Sequence, residues 1–158
     1  MASDFAASVA HGIEAGTQVK EFPPGEGSNE PFVVGDFVFY DTSDNVIQLC
    51  GADPALIAGI SETDSAEHTL LTPDGKVPVR LFRSSQVVVA LGSSTTPAQS
   101  HVGDQYGITR NGAVPFNWLL DTAKTGADAR VLVVDVDIDG GIFFVQMLND
   151  QLQFAAIA

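Results

Sequence analysis

Cysteine is nearly absent. Cys50 stands alone among 158 residues, so no disulfide can form within the chain. That excludes a small secreted scaffold stapled by bridges and suits a reducing compartment. Cations are scarce as well: seven Lys and Arg face twenty Asp and Glu, for a net charge of −13. Seven scattered cations cannot neutralise many phosphates, so neither nucleic acid nor an anionic membrane is an expected partner. The densest internal apolar run, residues 87–91, is far shorter than the roughly 18 residues of a membrane-spanning helix. The first residues include Asp4 and Glu14 and no basic stretch, so no signal peptide is expected. The chemical signatures are missing too. The chain has no G-x-S-x-G, no Walker A loop, no G-x-G-x-x-G after a strand, no H-E-x-x-H and no paired cysteines. The expectation is a non-enzyme without metal or cofactor.

What is present is apolar and strand-forming. Hydrophobic residues make up 45% of the chain and mean hydropathy is +0.17, which excludes disorder as the main state despite the charge. At 16.6 kDa the chain can bury a sizeable core.

The chain divides in two on paper. Residues 1–31 read as an N-terminal arm and linker. Phe5, Val9 and Ile13 are spaced four apart, which lines one face of a short helix, with Ser3 placed to cap it and Gly16 to end it. Pro23, Pro24 and Pro31 then block helix and ladder alike, so the linker is extended. Residues 32–158 read as a β domain. Short strands are expected at 32–41, 46–50, 56–60, 77–81, 86–91, 105–108, 117–120, 130–138, 142–148 and 152–154. Turn chemistry separates them, notably Asp44-Asn45, Asn111-Gly112 and Asp139-Gly140. Short strands with no long helical period argue an all-β fold: a small β-barrel, β-tulip or sandwich with an extended or short-helical arm. One internal echo stands out. Val34-Gly35-Asp36 and Val102-Gly103-Asp104 each precede a strand, through shared turn chemistry or through duplication.

Several constellations carry two readings. Asp135, Asp137, Asp139, Gly140 and Ile142 occupy positions of a calcium loop, and hard oxygen ligands at that spacing suit calcium. The twelfth position, however, is Gln146 and the flanks are strand-like. The competing reading is a β-hairpin with the three acids on its solvated face and Val134, Val136 and Ile138 toward the core. Trp118, Phe116 and Tyr106 form either a sugar-stacking platform or core packing. Cys50, even with His68 or His101 nearby, reads better as a small buried hydrophobe than as a nucleophile. His11 is equally isolated. The apolar stripe Phe5, Val9 and Ile13, continued by Val19 and Phe22, reads as a contact surface for a partner or a neighbouring subunit.

Four stretches together resemble the capsid decoration (cement) proteins of tailed bacteriophages. They are Val34-Gly35-Asp36-Phe37-Val38-Phe39-Tyr40, Leu56-Ile57-Ala58-Gly59-Ile60-Ser61, Gly103-Asp104-Gln105-Tyr106-Gly107 and the closing 131–147 hairpin, within roughly 120 residues of similar layout. The resemblance implies a structural virion protein on the outer capsid surface, made in the host cytoplasm. It implies that the protein is a homo-oligomer, with a trimer favoured, that clamps the major capsid protein lattice. It implies no catalytic residues. The alternative from the residues alone is a carbohydrate-binding β-sandwich module with a loose calcium site at 135–140.

Overall fold

The computed structural model of the chain describes residues 8–11, 17–24, 32–63, 76–84, 86–110 and 118–154. They are nearly all β, with three short 3-10 turns at Gln99–His101, Gly126–Asp128 and Asn149–Gln151. The strands are β1 (Ser8–His11), β2 (Thr17–Phe22), β3 (Phe37–Asp41), β4 (Val46–Leu49), β5 (Gly59–Ser61), β6 (Val77–Phe82), β7 (Val88–Ser93), β8 (Gln105–Arg110), β9 (Trp118–Asp121), β10 (Val131–Asp137) and β11 (Ile142–Met147). Alternation drives them. In β6, Val77, Val79 and Leu81 point inward while Pro78 and Arg80 are half-exposed, and β11 alternates along its whole length.

Strands β7, β11, β10, β8 and β9 form a ring, in that order. It closes where β9 runs parallel to β7, with Gly92 opposite Leu119 and Ser93 opposite Leu120. The remaining sheet is ordered β2-β6-β5-β3-β4, and its two outer strands are drawn together by a parallel bridge between Pro24 and Ile47. The two sets are the same figure drawn twice. In each, the first strand pairs with the fifth, the fifth with the fourth, the fourth with the second and the second with the third, all antiparallel. In each, the first and third meet in parallel.

Register matches as well. Gly59–Leu81, Ile60–Arg80 and Ser61–Val79 correspond to Val131–Met147, Leu132–Gln146 and Val133–Val145. Phe37–Ile60 and Val38–Gly59 correspond to Gln105–Leu132 and Tyr106–Val131. The echo in sequence sits at equivalent turns. Gly35 and Gly103 have φ of 92° and 94°, a region that favours glycine. Gly35 N–H donates to Ser61 O at 2.9 Å and Gly103 N–H to Val133 O at 2.8 Å. Of the two readings of the echo, the fold supports duplication: the same five-strand arrangement occurs twice, as a closed barrel (the second barrel) and as a sheet curled toward closure by a single bridge (the first barrel).

The barrels share one core, and Trp118 and Asp36 sit at its join. Trp118 is fully buried, edge-on to Phe37 at 5.1 Å, and its Nε1 donates to Asp36 Oδ1 at 3.0 Å. Asp36 Oδ2 accepts from Val33 N–H at 2.9 Å. The chain's last described turn also ties the halves. Ile57 N–H donates to Gln151 O, and Gln153 N–H donates to Ile57 O. Beyond β5 the backbone of β3 would be left open at Tyr40. The Gln153 amide fills in for a strand there, accepting from Tyr40 N–H at 2.7 Å and donating to Tyr40 O at 2.6 Å.

The structure bears on four expectations. Residues 8–11, including Val9, form a strand and not part of a helix, because pairing with β7 outweighs a four-residue apolar spacing. Within residues 1–31, Thr17–Phe22 pair with β6 as strand β2, and Phe22 is buried against Tyr40 and Phe154; residues 1–7, 12–16 and 25–31 lie outside the described residues. Residues 152–154 form no strand; only Leu152 makes an isolated bridge, to Ile57. The 131–147 stretch is a hairpin, but Val134 is the extra residue of a bulge between Val133 and Asp135 that brings Val136, opposite Phe143, to the core side, and Ile138 is exposed because it lies in the turn beyond the last pair, Asp137–Ile142.

Two substitutions test this architecture. Trp118→Phe keeps a ring but removes a donor from a buried carboxylate, so unfolding free energy should fall by about 2 kcal/mol or more, read as a lower urea midpoint. Gly59→Ala should cost about 1–3 kcal/mol or more, because a Cβ there would meet the Arg80 carbonyl carbon at 2.8 Å and the oxygen closer still. A wild-type midpoint for Trp118→Phe would show that the bond contributes no net stability.

Candidate functional site

Of the five residues read as a contact surface, the structure describes the side chains of two, Val19 and Phe22. Val19 is exposed on the outer strand β2, whereas Phe22, three residues on, belongs to the core. Val9 lies on β1. Phe5 and Ile13 lie outside the described residues.

The groups considered for chemistry are dispersed. Cys50 is buried, and burial pushes its thiol far up, with Arg110 pulling the other way and Asp36 adding to the rise. A thiol held protonated in this way is no nucleophile. His101 stacks edge-on against Phe143 and Tyr106 at 5.3 and 6.0 Å, and its Nδ1 accepts from Ala98 N–H at 3.0 Å. It organises a turn beside the second barrel. His11 lies on β1, and His68 and Phe116 fall outside the described residues. Trp118 is sealed inside, so it cannot stack on a sugar. Tyr106 is half-buried and donates to Asp104 Oδ2 at 3.0 Å; partial burial first, then that bond and the Asp104 charge, raise its phenol.

At the 131–147 hairpin, Asp135 Oδ1 accepts from Val136 N–H and Asp137 Oδ1 from Gly140 N–H. These carboxylates are exposed and oriented by their own turn. Among the described residues, no three His, Cys, Asp or Glu side chains converge on a point where a metal ion would sit.

Two features remain on the surface. One is a shallow apolar depression of about 280 Å³ in the first barrel, lined by Phe39, Cys50, Pro54, Ala55 and Leu56. Asp53 at its margin faces Lys124 at 3.6 Å and Arg130 at 3.8 Å across the join between barrels. In the second barrel Gly107 stands where the first has Phe39, and a Cβ on Gly107 would strike the Lys124 side chain and the Asp128 carbonyl. There the loop after β9 lies directly over β8, so the matching depression is filled. The other feature is a set of open strand edges. The outer edge of β1, the outer edge of β2 over residues 18–21, and the β8 side of β10 beyond Val133 have no strand partner among the described residues. Sequence reasoning missed these edges, because an edge is defined by which strands pair and not by any local pattern.

No protein-family model, no curated protein and no solved structure matches the chain.

The state of Cys50 is directly testable. A thiol-reactive reagent should leave the folded protein unlabelled at pH 7–8 and label it on denaturation. Because the folded thiol stays protonated when the unfolded one ionises, stability should fall as pH rises above the ordinary thiol value of 9.0. Rapid labelling of folded protein would contradict the burial.

Proposed function

We propose that this chain is a structural subunit that attaches to the outside of a tailed-phage capsid, as a homo-oligomer with a trimer favoured, and stabilises the lattice of the major capsid protein. Its place is then the virion surface. The layout shared with decoration proteins supports this reading. So does an all-β body in which no three described His, Cys, Asp or Glu side chains converge.

The observation that carries the proposal is the position of β1. It lies outside the closed ring, held edge-on to residues 88–90 of β7. Removing β2, β3 or any ring strand opens a barrel, whereas β1 can release its edge and leave both barrels closed. A strand of that kind can bond to a neighbour's sheet edge through backbone hydrogen bonds, which give affinity without a carved pocket. Several such strands in one oligomer act together, because each bound strand raises the effective concentration of the next. The acidic exterior keeps decorated particles mutually repelling.

Removal of residues 1–16 tests the reading, since it takes β1 and spares β2. The truncated protein should keep its β-type circular dichroism and a cooperative unfolding transition, and should lose co-sedimentation with undecorated phage shells that the full chain retains. Unchanged co-sedimentation of the truncated protein, or a full chain that ignores shells, would overturn it.

A further inference from the structure

The two barrels agree in strand order, register and closure, yet their first strands differ on the outside. The outer edge of β7 carries β1, antiparallel, with Ser8 opposite Ala90 and Val9 opposite Val89. Pairing with the fifth strand maps β7 onto β2. Gln146, Val145 and Phe144 face Val88, Val89 and Ala90 as Arg80, Val79 and Pro78 face Val19, Lys20 and Glu21. The edge equivalent to the covered one is therefore residues 19–21. No described strand covers it, and residues 18–21 are all exposed, Val19 at 46%. Such an edge presents unpaired backbone donors and acceptors to whatever strand arrives.

The charge around that edge is unusual for this molecule. Of the seven cations in a chain of net charge −13, four lie on or beside β2 and β6, Lys20, Lys76, Arg80 and Arg83, against two described acids there, Glu21 on β2 and Glu62 paired with Arg80 at 2.6 Å. An acidic strand fits there, and the chain carries one. Strand β8 covers only Val131 and Leu132 of β10, so beyond Val133 the strand pairs with β11 alone. That open stretch bears Asp135 and Asp137, both exposed, and runs into exposed Ile138.

We propose that residues 135–137 of β10 in one copy add as a strand to residues 18–21 of β2 in the next. The second barrel's sheet of one subunit then continues into the first barrel of its neighbour. Pairing of β2 with itself about a two-fold axis at Lys20 would set two ammonium groups directly opposite, which is destabilising. The contact between β10 and β2 joins opposite charges instead. It is heterologous, with different surfaces on the two partners, so repetition closes a ring where the rotation permits. The contact deepens the oligomer part of the proposed function, but it is read without any capsid present.

The test is the native mass of the full chain in a concentration series, with circular dichroism to confirm folding of each variant. The wild type should exceed the 16.6 kDa of one chain. Lys20→Glu, and separately the pair Asp135→Lys with Asp137→Lys, should each raise the concentration for half-assembly by roughly ten-fold or more. Combining the two sets should restore assembly, because the charges are then exchanged and not lost. A wild type that stays at one chain's mass would overturn the proposal. So would an assembly indifferent to both charge reversals, or one that the combined variant fails to restore. Loss of shell binding with assembly intact would count against the capsid reading alone.

Discussion

A buried carboxylate holds the two halves of this protein together. Asp36 sits at the mouth of β3, almost without solvent, and the indole of Trp118 reaches it from β9 of the other barrel. Removing a carboxylate from water costs several kcal/mol unless donors replace the lost hydration. Trp118 Nε1 and Val33 N–H are two such donors, and each is placed by a strand end. The bond therefore selects one relative placement of the barrels. Slide β9 by one residue and the indole turns to the other face, taking its donor away from Asp36 Oδ1. The edge-on contact of Phe37 with Trp118 and the guanidinium of Arg110, 5.9 Å from the indole ring, pack around that same side chain. The strongest polar demand in the core thus lies where two repeated units must choose how to join.

Repetition explains why so few residues suffice to define the fold. Each barrel has five short strands, and a closed ring leaves no edge along most of its circumference. Closure comes from a parallel contact between first and third strands: Ser93 with Leu120 in one barrel, Pro24 with Ile47 in the other. The second is only a bridge, because Pro24 has no N–H with which to extend a ladder. The first barrel is consequently the looser of the two at its seam. Its first strand is exposed over residues 18–21, while the equivalent stretch of β7 is flanked on both sides. The asymmetry between two like units is where surface chemistry collects.

Much of the fold was legible in the sequence, and the failures have physical causes. Alternation in residues 77–81, the apolar run at 142–148 and the turns at Asp44-Asn45 and Asp139-Gly140 marked strands that the structure contains. These signals are local. Phe5, Val9 and Ile13 misled because a four-residue spacing suggests a helical face, whereas a four-residue strand is decided by the sheet that accepts it. Phe22 looked like part of an exposed stripe, but Tyr40 and Phe154 enclose it from far along the chain. The duplication left one sequence trace, the repeated Val-Gly-Asp, because only the glycine's positive φ constrains residue type there. Elsewhere equivalent positions differ in size or polarity, as at Gly59 and Val131, Ser61 and Val133, or Phe39 and Gly107, so no other run of sequence repeats. The exposed edges left no trace in sequence, since each is a property of pairing between distant segments.

Charge then decides what those edges can do. Three cations are committed at or near the join: Lys124 and Arg130 approach Asp53, and Arg110 lies over the buried indole. The other four lie on or beside the β2–β6 ribbon, where Arg80 pairs with Glu62 and Glu21 adds a negative charge, leaving a strip with a net positive excess on an acidic body. At physiological salt the screening length is about 8 Å, so the net charge of −13 repels copies only at close approach, and the strip attracts only what lies nearly upon it. Most orientations of two copies bring acid against acid and are disfavoured. An approach that lays an acidic strand edge on the basic ribbon escapes that penalty and satisfies two open edges at once. Backbone pairing supplies affinity, and the uneven distribution of a few cations supplies direction.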